Sequence, residues 1–304
     1  MDIRGQRRSD NFEDRGRGRG GGGGFGIPIQ LVSMVVRMLG IKGTLIVGLA
    51  LGGIYLFMPA SMKQMLLGEA TTGDGRGAGA GSACQLSASH ESACDFSRVI
   101  LGSTEDVWNR QFAEGKLPSY GKSVPSAYAP PTLVVFSDAV STGGCGSATS
   151  AVGPFYCPAD RRIYIDPTFY RTMETRLQAP CDFAQAYVVA HEVGHHVQNL
   201  IGSSRLAVEG ESRNQSSVRV ELQADCLAGV WGSAARDQLK IDEQDLQEAL
   251  QAAHSIGDDS LGHGDESAFT HGSSAQRKRW WKRGLDSGDA RQCDTFSVRE
   301  HAAL

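Results

Sequence analysis

The stretch CDFAQAYVVAHEVGHHVQNLIG, residues 181–202, constrains the fold of this chain more than any other. Its apolar residues Phe183, Ala186, Tyr187, Ala190, Val193 and Val197 recur at spacings of three and four, which predicts a helix with one buried face. On that helix His191 and His195 are one turn apart and project from the same side. Two imidazoles so placed can grip one zinc ion, with Glu192 beside it to take a proton from a zinc-bound water. Histidines left idle in so apolar a helix would carry a desolvation cost, which weighs against two unused surface side chains.

A catalytic zinc usually has three protein ligands and one open position. The candidate third ligand is Glu221 in VELQADCLAGVWG, 221 − 195 = 26 residues after His195. That is room for a loop and a second helix to return to the metal. Asp225 follows Glu221 by one turn on the same face, where it can accept the spare N–H of a ligating histidine. A solvated Glu/Asp pair is the opposing reading. It fits poorly with the surrounding Val218, Val220, Leu222, Ala224, Leu227 and Trp231.

HExxH followed by ExxxD is similar to the thermolysin-type (gluzincin) zinc peptidases. The ELQAD form resembles the CAAX prenyl proteases and their bacterial heat-shock relatives. Together CDFAQAYVVAHEVGHHVQNLIG, VELQADCLAGVWG and FTHGSSAQRKRWW resemble the bacterial neutral zinc metallopeptidase family, over roughly residues 96 to 290. The resemblance implies one catalytic zinc held by His191, His195 and Glu221, with Glu192 as base and Asp225 behind the ligands. It also implies an α+β, zincin-like domain, in which a small sheet packs on the HExxH helix. In the prenyl-protease-like enzymes a Thr-His pair, with an Arg six residues after the His, stabilises the oxyanion. Thr270-His271 and Arg277 match that spacing, with Gly272 in place of the usual Pro. A capping histidine and a surface arginine remain open for these two residues.

The local patterns agree with such a domain. Leu133–Phe136, Phe155-Tyr156 and Arg162–Asp166 read as strands preceding the metal helix, and one of the last two is expected at the sheet edge. In the enzymes resembled, an edge strand holds the substrate backbone by strand addition. A helix is expected to open at Ser103 and stop near Gly115. The polar stretch 198–217 reads as a mobile bridge able to cover the cleft.

Outside the domain, composition takes over. Residues 1–26 are dominated by Gly and Arg and are expected to be disordered. IKGTLIVGLALGGIYLFM, residues 41–58, is long and apolar enough for one membrane span. Cations crowd before it and only Lys63 follows closely, so the N-terminus is expected in the cytoplasm. The expected layout is a disordered cytoplasmic Arg/Gly-rich tail over 1–40, a transmembrane helix over 41–59, a flexible linker over 60–95 and an extracytoplasmic domain over 96–304. That describes a single-pass protein of the bacterial inner membrane with its catalytic domain in the periplasm. All seven cysteines follow the span, which favours disulfides in an oxidising compartment. Cys145 and Cys157 are a plausible local pair, Cys181 and Cys226 are expected near each other, and one cysteine is left over. A net charge of −4 gives no argument for a nucleic-acid partner.

The expected function is a membrane-anchored zinc metalloendopeptidase that hydrolyses protein or peptide substrates. The other reading is a non-catalytic envelope binding module stabilised by zinc. Glu192 favours the enzyme, since a structural site has four closed ligands and no base.

Overall fold

The structure is a computed structural model that describes residues 1–17 and 81–304, apart from 122, 177–181, 256, 261 and 263–264. A four-stranded sheet has the order β1-β2-β6-β5. The strands are β1 (Phe12–Arg17), β2 (Thr132–Ser137), β5 (Phe155–Cys157) and β6 (Arg162–Ile165). β1, β2 and β6 run parallel, and β5 pairs with β6 antiparallel. Among the described residues β5 is therefore an edge strand, which decides between the two expected candidates. A two-stranded hairpin, β3 (Ala139–Ser141) and β4 (Ser147–Thr149), leans on the same sheet.

The central strands are apolar on both faces because both faces are covered. Leu133, Val135, Ile163 and Ile165 face the main helical core with Val189 and Val193. Val134, Phe136 and Tyr164 face a smaller cluster with Val140 and Cys157. The Cys145–Cys157 disulfide, expected from the sequence, ties the hairpin to this second layer.

The described helices are α1 (Ala88–Ala113), α2 (Thr168–Arg176), α3 (Asp182–Ile201), α4 (Arg213–Ala235), α5 (Glu243–Ser255) and α6 (Ser274–Ser287). α1 begins at the N-cap Ser87, not at Ser103. The capping pattern at Ser103 lies inside the helix, two residues after Leu101, and Gly102 precedes it. That glycine is required there because a β-carbon would stand 2.9 Å from the carbonyl oxygen of Arg7. α4 and α6 both start with a capping box, Ser212 with Gln215 and Ser273 with Gln276. α6 lies so close to α4 that a β-carbon at Gly284 would stand 1.9 Å from the Cys226 carbonyl oxygen.

The amino-terminal segment departs from expectation. Residues 1–17 are not a disordered tail. They belong to the same compact unit as residues 81–304. Glu105 of α1 accepts hydrogen bonds from Ser9 at 2.5 Å and Asn11 at 2.8 Å, and pairs with Arg7 at 2.9 Å. Asp14 accepts from the backbone N–H groups of Ala83 at 2.9 Å and Cys84 at 3.1 Å. Composition hid this order because the partners lie far along the chain.

The same packing overturns the single-pass layout. A single crossing between residues 17 and 81 would separate β1 from its neighbour β2, yet the two are paired in register from Phe12↔Leu133 to Arg17↔Ser137. Among the described residues no helix is long and apolar enough to cross a membrane. The apolar run 41–58 lies outside the described residues. A cytoplasmic tail, one inner-membrane span and a periplasmic domain are thus not the arrangement of this chain.

Disulfides also join Cys84 to Cys94 and Cys226 to Cys293. Cys226 is therefore paired away from Cys181, which lies outside the described residues.

Candidate metal centre

α3 and α4 cross where neither has bulk. A β-carbon at Gly194 would stand 3.0 Å from the carbonyl oxygen of Ala224. The glycine inside HEVGHH thus lets the histidine helix approach the helix that carries Glu221. The result is a cluster of His191, His195 and Glu221 whose ligand atoms all lie within 4.8 Å of one another. The two oxygens of Glu221 face the two histidines: Oε2 is 3.2 Å from Nε2 of His191, and Oε1 is 3.5 Å from Nε2 of His195.

The other nitrogen of each ring is already taken. Nδ1 of His191 donates to Oδ1 of Asp225 at 2.9 Å. Nδ1 of His195 donates to Oε1 of Gln198 at 2.9 Å. The amide orientation of Gln198 is fixed by its nitrogen, which donates to the Val220 carbonyl at 2.6 Å and to Gln223 Oε1 at 3.1 Å. With both Nδ1 atoms acting as donors, both Nε2 lone pairs and a carboxylate converge on one point. Three acceptors cannot face each other without a positive charge between them. Either a proton or a metal cation must stand there, and this donor set fits zinc.

Burial disfavours the charged form of each of these groups, and their partners overcome it. Hydrogen bonds to Asp225 and Glu221 hold the His191 pKa well above the ordinary imidazole range. The neighbouring His195 and His191 hold Glu221 far below the usual carboxylate range. A metal entering this site therefore displaces a proton.

Asp225 is fully buried and serves three partners. Besides His191, it accepts from Arg277 through Nε to Oδ2 and through a terminal nitrogen to Oδ1, both at 2.8 Å. It also accepts a short hydrogen bond from the hydroxyl of Tyr187. Arg277 is itself buried, so it is not the surface arginine held open by the sequence. Its bidentate grip depends on the Gly284 contact that brings α6 onto α4.

Above the cluster lies a cleft of about 420 Å³. His191, Glu192, His195 and Glu221 reach it from the helices, Phe155 and Tyr156 from β5, and His271 and Arg277 from the far side. The side chain of Glu192 is buried in the wall and makes no hydrogen bond or ion pair with a described residue. His271 is held by Asp258, whose Oδ2 accepts its backbone N–H at 2.7 Å and whose Oδ1 lies 3.2 Å from Nδ1. The cleft thus brings all six of the expected acid, base and ligand candidates together, while Asp225 sits behind them. His196 points away: it is fully buried, with its ring nitrogens 3.0 Å from the Tyr156 hydroxyl and 2.7 Å from the Ala129 carbonyl. The bridge between α3 and α4 does not line the cleft; it winds through a short 3-10 turn, Ser203–Arg205, and enters α4.

Sequence reasoning missed Gln198, Tyr187 and Asp258. Tyr187 reads as core, and Asp258 lies in an unremarkable loop. Gln198 did carry a signal, since it follows His195 by three residues and therefore shares its side of the helix.

The sequence matches the family described as "Putative neutral zinc metallopeptidase" over residues 1–296. It is 42% identical over 316 residues to the uncharacterized protein YpfJ of Escherichia coli strain K12, covering 97% of this chain and 99% of that protein. It is 40% identical over 214 residues to the uncharacterized protein Rv2575 of Mycobacterium tuberculosis strain H37Rv, covering 62% of this chain and 73% of that protein. No solved structure matches.

Proposed function

The chain belongs to the neutral zinc metallopeptidase family, and on that premise we propose that it is a zinc-dependent endopeptidase with Glu192 as its base. The observation that carries the reading is the convergence of His191, His195 and Glu221 within 4.8 Å at the floor of a cleft that Glu192 also lines. Zinc, when bound, supplies the Lewis acidity that makes water nucleophilic near neutral pH. The chain's own residues do the rest.

An extended peptide adds to the free edge of β5, so that its backbone lies across the cleft. Glu192 takes the proton of the attacking water and passes it to the leaving amine. His271, fixed at the rim by Asp258, donates to the carbonyl oxygen as charge builds there. Arg277 acts one layer back. Its guanidinium holds Asp225, and Asp225 holds His191 with Nε2 facing the metal position.

Glu192→Gln tests this directly. The variant should retain one zinc per chain and lose peptide cleavage. Cleavage at the wild-type rate would remove Glu192 from the mechanism, and an intact zinc site with no cleavage by either protein would favour a binding module.

A further inference from the structure

A second hollow, of about 360 Å³, lies one turn further along α3. Asn199 and Ile201 line it from the helix, Pro158 and Arg161 from the turn between β5 and β6, and Gly202 and Arg205 from the turn after α3. It adjoins the first cleft. Asn199 follows His195 by four residues and so lies on the same side of the helix. Its side-chain nitrogen donates at 3.1 Å to the hydroxyl of Tyr156, a wall residue of the first cleft. β5 lines the first hollow, and the turn that follows it lines the second.

The chemistry of the second hollow is cationic. Arg161 and Arg205 are exposed, and neither makes a hydrogen bond or ion pair through its side chain with a described residue. The adjacent acid does not neutralise them. Asp160 is turned to the other side, where it accepts from the backbone of Gly143 at 2.7 Å and Arg162 at 3.2 Å, and from the Tyr164 hydroxyl at 2.7 Å. Arg161 also holds a left-handed φ of 57°, where glycine or asparagine would serve the turn with less strain. A guanidinium is well suited to receiving a carboxylate through two parallel hydrogen bonds.

We propose that this hollow is a carboxylate subsite, which takes an acidic side chain or the carboxyl terminus of the peptide lying along β5. The proposal rests on the peptidase reading for its substrate and adds a specificity to it. Helical rise places Asn199 to Ile201 about 6–9 Å beyond His195. An extended peptide advances about 3.3 Å per residue, so the carboxylate sits about two to three residues from the bond cleaved.

Binding can be read without turnover. The full chain carrying Glu192→Gln, loaded with zinc, is titrated into fluorescently labelled, alanine-rich extended peptides and followed by anisotropy. One series is amidated and carries a single Glu scanned through the host. A matched series carries Gln, and a third ends in a free carboxyl group at successive positions. A Glu peptide should bind about tenfold more tightly than its Gln counterpart at one or two adjacent positions, a difference of about 1.4 kcal/mol. An advantage confined to the third series would assign the carboxyl terminus instead. Either advantage should vanish in the Arg161→Gly, Arg205→Gln protein, whose glycine suits the left-handed turn. Equal binding of all three series overturns the subsite, as does a preference that survives the double substitution. Cleavage of the Gln series by the wild-type protein is followed in parallel. Its absence would sink the peptidase reading while the binding result still stands.

Discussion

His195 donates its Nδ1 proton to the neutral amide oxygen of Gln198 at 2.9 Å, whereas the paired histidine, His191, donates to a carboxylate. The two rings are therefore held by unequal partners. Asp225 adds negative charge to one imidazole, while Gln198 mainly fixes the orientation of the other.

Gln198→Leu should lower zinc affinity by about 10–100-fold, the usual consequence of losing a partner behind a ligand. Gln198→Glu should not restore it: one carboxylate oxygen could accept the same proton, but the other would face the Val220 carbonyl and Gln223 Oε1, to which the amide nitrogen donates. Metal competition with a chromogenic chelator measures both. Unchanged affinity in Gln198→Leu would show that the ring is oriented by its packing alone.

Arg277→Met leaves Asp225 buried beside His191 without its main counter-charge. Breaking a buried ion pair from one side costs about 3–5 kcal/mol, against at most about 0.5 kcal/mol for a surface substitution. Urea unfolding should show the larger loss, with zinc affinity falling alongside it. A loss of activity with stability and zinc affinity intact would instead move Arg277 into direct contact with substrate.

Gly284→Ala should act at a distance. The added methyl would stand 1.9 Å from a backbone oxygen of α4, which cannot move aside as a side chain can. Overpacking of this type costs about 1–3 kcal/mol. By forcing α6 outward it should also loosen Arg277 from Asp225. Thermal unfolding and zinc titration should both report it, although residue 284 is outside the cleft. A variant with wild-type values in both would mean that the helix contact relaxes freely.

Acid should free the amino-terminal strand. Burial raises the Asp14 pKa, but hydrogen bonds from Ser82, Ala83, Cys84 and Gly16 outweigh it and hold the folded value below the ordinary one. A depressed carboxylate stabilises the fold above its unfolded pKa, near 3.9, and that contribution is lost as pH falls through the folded value. Hydrogen exchange of residues 12–17 should accelerate below about pH 4 relative to the core of α3. Asp14→Asn should already show raised exchange at pH 6 and little further change on acidification. A wild-type profile in that variant would remove Asp14 as the latch.

The metal helix was legible because its information is local. A period of 3.6 residues fixes which side chains share a face, and His191, His195 and Glu192 all sit within five residues. Glu221 and Asp225 were accessible for the same reason, as a pair one turn apart. Arg277 was harder. Its spacing from His271 is visible in the chain, but its engagement with Asp225 depends on two helices meeting at Gly284. The order of residues 1–17 was the furthest out of reach. Arg, Asp and Gly there describe a solvated arm by composition, and only the tertiary contacts with Glu105 and β2 reverse that.

The parallel pairing of β1 with β2 has a consequence in time. Phe12 aligns with Leu133, 133 − 12 = 121 residues later. At a synthesis rate of about 5–20 residues per second, the first strand waits for roughly 6–24 seconds before its neighbour has even been made. A domain of this design cannot fold strictly from its first residue onward. During that interval the segment is available to whatever holds nascent chains, and its charged character, which misleads composition-based reading, also opposes its aggregation while it waits.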